Sequence, residues 1–410
     1  MSTQLNQPQK DGRSRIIIES VEPQVDSGRF AAKRVAGDIV TVEADVFTDG
    51  HDAVSAVLRF RRLSESEWSE IEMQHISNDR WRAEFTVAEI GVYEFTVAGW
   101  VDGFKTWHRD LLKRIAASQD APVDYLIGAD LIDRAAALAV PGDKEWLARS
   151  AASLRSSDTA ALKRAVATDV RLVSQMQVYP DRSLQLEYDR TLRITVDPLK
   201  ARFSSWYEFF PRSAAAEPGR HGTFRDCEQW LPYVAGMGFD VLYFPPIHPI
   251  GENFRKGKNN AVTAEPEDEG SPWAIGSGLG GHKAVHPKLG TLEDFRRLVQ
   301  KARELGIDIA LDIAFQASPD HPYVAEHKEW FRQRPDGTIQ YAENPPKKYQ
   351  DIYPFDFESS DWLPMWDELR SVFFYWLEQG VRIFRVDNPH TKAFPFWEWT
   401  ITTVKERYPE

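Results

Sequence analysis

The sequence predicts a multidomain chain in which an all-β region gives way to a helical insertion and then to a parallel α/β region. Three observations carry this expectation. Short β-rich runs, punctuated by Gly, Asp and Pro, fill residues 15–118. Apolar residues at helical spacing fill residues 119–181. From residue 199 strands and helices alternate, and near-continuous apolar strands in that order indicate a parallel sheet covered by helices.

The first 14 residues, MSTQLNQPQKDGRS, are polar and read as a disordered lead-in without the apolar segment of a signal peptide. The runs at 16–18, 39–42 and 54–60, and the alternating stretches 81–87 and 91–100, read as strands of a β-sandwich over 15–118. Residues 129–140, 144–154 and 159–176 read as helices of the insertion 119–181. Pro141-Gly142 separates the first two, and Ser156-Ser157-Asp158 offers an N-cap to the third. Residues 182–198 return to strand and would complete the sandwich.

In the α/β region, 203–210, Val241–Phe244, 307–314 and 381–386 read as strands. Helices follow each of them: one opened by Thr223, one by Thr291, one over 360–378 and one over 392–407. Two long excursions, 247–287 and 316–359, leave strand ends. Loops longer than ~15 residues without structure of their own are usually functional. Both lie on the C-terminal side of the strands, where barrel enzymes place their chemistry.

A net charge of −12 excludes a nucleic-acid binder that relies on phosphate contacts, though not a local basic pocket for one small anion. No apolar run approaches the ~18 residues of a membrane span. The single cysteine, Cys227, rules out an intrachain disulfide, and the expected location is the cytoplasm. The histidines show no metal-ligand spacing, so no metal and no cofactor is expected.

The stretch VRIFRV at 381–386 delivers Asp387 at a strand end. Arg385 lies two residues earlier, so both side chains share a face. A guanidinium beside a carboxylate keeps it ionised. An ionised Asp at a strand end suits a nucleophile that attacks a sugar. The same residues equally suit a structural Arg–Asp pair closing a core strand.

With the motifs FDVLYFPP (239–246), LGTLEDF (289–295) and the 380–387 stretch in this order, the sequence resembles the α-amylase superfamily of (β/α)8 TIM-type barrels. The third strand departs from that pattern. Gln316 and Ala317 stand where the superfamily has Asn-His, and Asn388 follows Asp387 in place of a small residue. These departures, together with WYEFFPRS (206–213), NFRKGKNN (253–260), GGH (280–282), FQASPDHP (315–322) and ENPPKKYQDIYP (343–354), resemble one branch, the bacterial α-maltose-1-phosphate maltosyltransferases. The fold implied is a sandwich with helical insertion, then about the first four β/α units of the barrel over 199–410.

The resemblance implies maltosyl transfer from α-maltose 1-phosphate to the non-reducing end of α-1,4-glucans or maltooligosaccharides, with release of phosphate. Asp387 would be the nucleophile of a retaining double displacement, and Arg385 would position it. Lys256, Gln316, Asp351 and Asn388 match donor-binding positions. Asn344, Lys347 and Tyr349 match phosphate-contacting positions, and amide, ammonium and phenol are all donors suited to phosphate oxygens. Taken alone, Lys347 equally suits an exposed loop, Lys256 a solvated surface and Asp351 a turn cap. Asp312 reads as a structural buried acid, His282 and His390 as candidate sugar contacts, and His286 as structural. The resemblance also implies a homodimer. The general acid and a stabilising Asp of the superfamily fall on later strands, so residues 1–410 alone are expected to be inactive. Two other readings stay open: a hydrolase or transglycosylase of the same superfamily, and a non-catalytic glucan-binding module.

Overall fold

The computed structural model describes residues 12–410, so most of the expected lead-in 1–14 lies outside the described residues. The chain divides into two units, Met1–Pro198 and Leu199–Glu410.

In the first unit, alternation of apolar and polar residues builds two facing sheets. One has the order β1 (Ile16–Glu22), β3 (Asp38–Thr48), β7 (Arg80–Val87), β6 (Gln74–Ser77). The other runs β2 (Ala32–Val35), β10 (Leu192–Asp197), β8 (Gly91–Val101), β4 (Val54–Arg62), β5 (Ser69–Glu72), with β9 (Leu186–Glu187) beside β8. Along β3 every second side chain, Val40, Val42, Ala44 and Val46, turns inward. It meets Leu58, Phe95, Val97 and Ile194 of the other sheet in one apolar core. β10 pairs antiparallel with β8 and parallel with β2, so a strand after the helical insertion sits inside the sandwich.

The all-β reading of 15–118 fails at Gly103, where α1 (Gly103–Ala116) begins. Asp102 caps it, accepting from the Lys105 amide at 2.8 Å. Phe104, Trp107 and Leu111 then fall on one buried face. The alternating run through Trp100 hides this change of period. α2 (Pro122–Leu138) and α3 (Pro141–Arg155) follow. Pro141 opens α3 rather than merely breaking a helix, because a first-turn residue needs no N–H partner. The expected helix 159–176 is two helices, α4 (Ala160–Ala167) and α5 (Val170–Val178). Asp169 restarts the second by accepting from the Arg171 amide at 2.7 Å. Gly128 lets α1 and α2 approach closely: a Cβ there would lie 2.1 Å from Trp107 Cζ2.

The second unit carries a four-stranded parallel sheet in the order β11 (Trp206–Glu208), β12 (Val241–Phe244), β13 (Asp308–Ile313), β18 (Ile383–Val386). The helices α6 (Phe224–Gly236), α7 (Leu292–Glu304), α9 (Trp362–Glu378) and α10 (Phe394–Arg407) alternate with the strands, the layout of the leading units of a TIM-type barrel. Thr223 with Asp226 and Thr291 with Asp294 form capping boxes that fix where α6 and α7 start. The first strand is shorter than the expected 203–210. Asp240 takes the Ser205 amide and hydroxyl at 2.8 and 2.9 Å, and Pro211 begins a 3-10 turn. Phe244, Phe295, Phe315 and Trp376 fill the core between sheet and helices. The excursion after β13 holds β14 (Gln316–Ala317), α8 (Pro322–Glu326), β15 (Ala342–Asn344), β16 (Lys347–Tyr349) and β17 (Tyr353–Pro354). β14 pairs with β17, and β15 with β16.

Candidate active site

Gly380, with φ +97°, ends α9 and turns the chain into β18. The register of β13 and β18 sets Asp312 beside Arg385. The Asp387 amide continues the pairing, donating to the Ile313 carbonyl at 2.9 Å. Arg385 Nη1 donates to Asp387 Oδ1 at 2.8 Å and to Asp312 Oδ2 at 2.9 Å. Asn388 is left-handed (φ 47°, ψ 53°). That turn brings its Nδ2 to Asp387 Oδ2 at 2.9 Å. Both Asp387 oxygens thus accept a hydrogen bond to a positioned donor, which fixes the carboxylate plane. Asp387 keeps 18% of its side chain exposed, whereas Asp312 is sealed.

Burial pushes the Asp312 carboxyl up to about 6, against the pull of Tyr243 and Arg385, while the charge of Asp387 adds to the rise. The Tyr243 hydroxyl donates to Asp312 Oδ2 and is itself raised, first by burial and then by that bond. Lys392 donates to the Asn388 carbonyl at 3.3 Å and to Thr391 Oγ1 at 2.9 Å. Burial lowers its ammonium to about 8, and Asp387 opposes that fall. No sequence motif marks Tyr243 or Lys392 for this cluster, and Asp312 is buried, as expected of a structural acid.

Lys256, 8% exposed, lines a cavity of about 440 Å³ with Phe210, Arg212 and Trp273. Gln316 donates its Nε2 to the Trp273 carbonyl at 3.0 Å, so it is tied to the same wall. The Trp273 indole N–H and Asp351 Oδ1 are both buried without a hydrogen-bond partner in the protein. Burial raises the Asp351 carboxyl, and the Lys256 ammonium works against that rise. A buried donor, a buried acceptor and a cation in one region suit the hydroxyls of a sugar.

Asn344, Lys347 and Tyr349 lie on the hairpin β15–β16. Asn344 pairs with Lys347 across the ribbon, and Tyr349 is two residues further on. Cross-strand partners and i, i+2 neighbours share a face, so the three stand on one side of the hairpin. Lys347 is exposed.

One histidine expectation changes, that for His282. His282 is 2% exposed and cannot touch a sugar. The Tyr323 amide donates to His321 Nδ1 at 3.1 Å. His321 Nε2 must then donate to His282 Nδ1 at 3.0 Å, and His282 Nε2 to the Ala314 carbonyl at 3.0 Å. This chain holds both rings neutral, with no acceptor for a further proton. His286 is partly buried, accepts from the Lys288 amide at 3.2 Å, and is lowered to about 4 by burial first and His221 second. His390 is exposed in the turn after Asn388.

Comparison with known proteins gives two family matches. The α-1,4-glucan:maltose-1-phosphate maltosyltransferase domain N/S matches residues 14–198, and the α-amylase catalytic domain matches residues 177–381. The α-1,4-glucan:maltose-1-phosphate maltosyltransferase of Chlorobaculum tepidum is 54% identical over 400 residues, covering 98% of this chain and 60% of the relative. That of Methylacidiphilum infernorum is 52% identical over 402 residues, with the same 98% and 60%. The chain thus spans 60% of the length of these curated relatives. Among solved structures, an α-amylase from Lactobacillus plantarum aligns at 30% identity with a TM-score of 0.42, covering 50% of this chain and 43% of that one.

Proposed function

We infer, for a chain that belongs to the α-1,4-glucan:maltose-1-phosphate maltosyltransferase family within the α-amylase superfamily, that it transfers maltosyl from α-maltose 1-phosphate to the non-reducing end of an α-1,4-glucan. The observation that carries the reading is Asp387, partly exposed at a strand end with one oxygen on Arg385 and the other on Asn388. A carboxylate oxygen of Asp387 attacks the anomeric carbon. The bond to the phosphate oxygen breaks, and phosphate leaves with the electron pair. The glucan 4-hydroxyl then displaces Asp387 and loses its proton, so two inversions restore the α configuration.

Lys256, Gln316 and Asp351 hold the maltosyl hydroxyls in this reading, with Asn388 beside the nucleophile. Asn344, Lys347 and Tyr349 receive the phosphate on the hairpin face, where donors stabilise the departing charge. Protonation of the leaving group and deprotonation of the acceptor need a second acid/base. Asp312 is sealed beneath Arg385 and does not serve. We assign that role to the share of the relatives' length that this chain does not span. Residues 1–410 alone are therefore expected to be silent in phosphate release, and a form spanning the relatives' full length to be active. In that form, Lys347→Ala should raise the KM for α-maltose 1-phosphate about tenfold or more, the loss of one charge-assisted bond. Glucan cleavage without any phosphate dependence would sink the transferase reading in favour of a hydrolase.

The reading includes a cytoplasmic homodimer. No helix among the described residues is long and apolar enough to cross a membrane. On α2, Val123, Leu126 and Ile127 are 45–55% exposed at i, i+3, i+4 spacing, an apolar row that suits a subunit interface. Light scattering should give twice the chain mass, and Leu126→Glu with Ile127→Glu should halve it. A monomer in both would remove the dimer from the proposal.

A further inference from the structure

Between the excursion after β13 and the head of α9 lies a cluster that the reaction above does not use. His327, Glu329 and Asp361 each offer one ligand atom, and these atoms lie within 4.8 Å of one another. His327 precedes the 3-10 turn Lys328–Trp330, and Asp361 stands at the head of α9. Trp330, 2% exposed, organises two of the three. The His327 ring stacks on its indole at 3.9 Å with an interplanar angle of 5°. Its Nε1 donates to Asp361 Oδ2 at 2.8 Å. Partners of this kind fix the orientation of metal ligands from outside the coordination sphere.

The charge balance points the same way. Glu329 Oε1 lies 3.4 Å from His327 Nδ1, a hydrogen-bond contact to an imidazole rather than to a fixed cation. Among the described residues neither Glu329 nor Asp361 pairs with a lysine or arginine, while the neighbouring Arg332 is taken by Asp356 and Glu358. Asp361 caps α9 by position without giving its side chain to a helix amide, so its second oxygen stays available. Two carboxylates and one imidazole form a mixed oxygen–nitrogen set. Such a set selects a borderline divalent transition ion, Zn²⁺ or Co²⁺, over Mg²⁺ or Ca²⁺, which prefer oxygen alone.

We propose that His327, Glu329 and Asp361 bind one divalent transition-metal ion, which clips the stretch 327–331 to the head of α9. The clip would tie to α9 the excursion that also carries Asp351 and the hairpin β15–β16. Sequence spacing did not show it, because Asp361 joins the other two only in the folded chain.

The test uses tag-free residues 1–410, stripped with EDTA and titrated with Zn²⁺ by calorimetry and with Co²⁺ by visible absorption. One equivalent should bind, and saturating Zn²⁺ should raise Tm. His327→Phe keeps the ring stack and removes the nitrogen. Asp361→Asn keeps an acceptor for Trp330 and removes the charge. Each variant should melt like the parent in EDTA and bind Zn²⁺ at least ~10-fold more weakly, as losses around metal ligands do. No Zn²⁺ bound by the parent, or equal binding by parent and both variants, would overturn the proposal and leave a plain hydrogen bond between His327 and Glu329.

Discussion

Replacing Asp387 by Asn in a form spanning the full length of the relatives should lower phosphate release by ~10⁴-fold or more, the scale at which removal of a catalytic nucleophile acts. The fold should survive. Asp387 is partly exposed, the strand is held by backbone pairing, and the carbonyl of Asn can still accept from Arg385 Nη1. The Tm should therefore shift little while the rate collapses. A 2-fluoro maltosyl donor, which slows the second displacement, should leave one maltosyl mass on the parent protein at Asp387 and none on the variant. A variant with more than a hundredth of the parent rate would mean that Asp387 only braces Arg385. In that case the chemistry belongs to another carboxylate.

Acidification should weaken the second unit between pH 6.5 and about 4, through histidines with no catalytic part. Burial lowers His248 to about 4 and His321 to about 3, and holds His282 well below the ordinary range. Their folded values lie below the ~6.5 of an unfolded chain, so the unfolded state binds more protons as pH falls. The stability from the neutral rings is complete above ~6.5 and is lost as pH drops towards the folded values. For His248 alone, the fall from 6.5 to about 4 corresponds to roughly 3 kcal/mol at pH 4. Asp312 works the other way. Its folded value near 6 exceeds the ordinary 3.8, so its protonation below pH 6 favours the fold and offsets part of the loss. Urea midpoints at pH 7, 5 and 4 should fall in that order, and His321→Asn should flatten the slope. Equal midpoints at pH 7 and pH 4 would contradict the buried neutral chain.

The parts of this molecule visible in the sequence are those encoded locally. VRIFRV between Gly380 and Asp387 shows a buried strand and the face that Arg385 shares with Asp387. Thr223 and Thr291 announce their helices because a capping box needs only four consecutive residues. The rest depends on register. Asp312 meets Arg385 only after β13 pairs with β18, and Tyr243 reaches Asp312 only across β12 and β13. The histidine chain likewise joins His282, His321 and Ala314 from both excursions and a strand end. No spacing in the sequence signals such contacts. α1 is hidden in the sequence for another reason: its helical period begins directly after an alternating strand, and a window spanning Trp100 averages the two.

Arg385 serves two carboxylates through one nitrogen, Nη1. In the proposed reaction Asp387 becomes a neutral ester while it carries the sugar. The guanidinium then answers to Asp312 alone, and the repulsion that helped raise Asp312 disappears. Asp312, near 6 beforehand, holds its proton less tightly until the sugar departs. Around that pH, loading the enzyme would release part of a proton from Asp312, alongside the proton exchange of the departing phosphate. The heat of loading would then change with the ionisation enthalpy of the buffer.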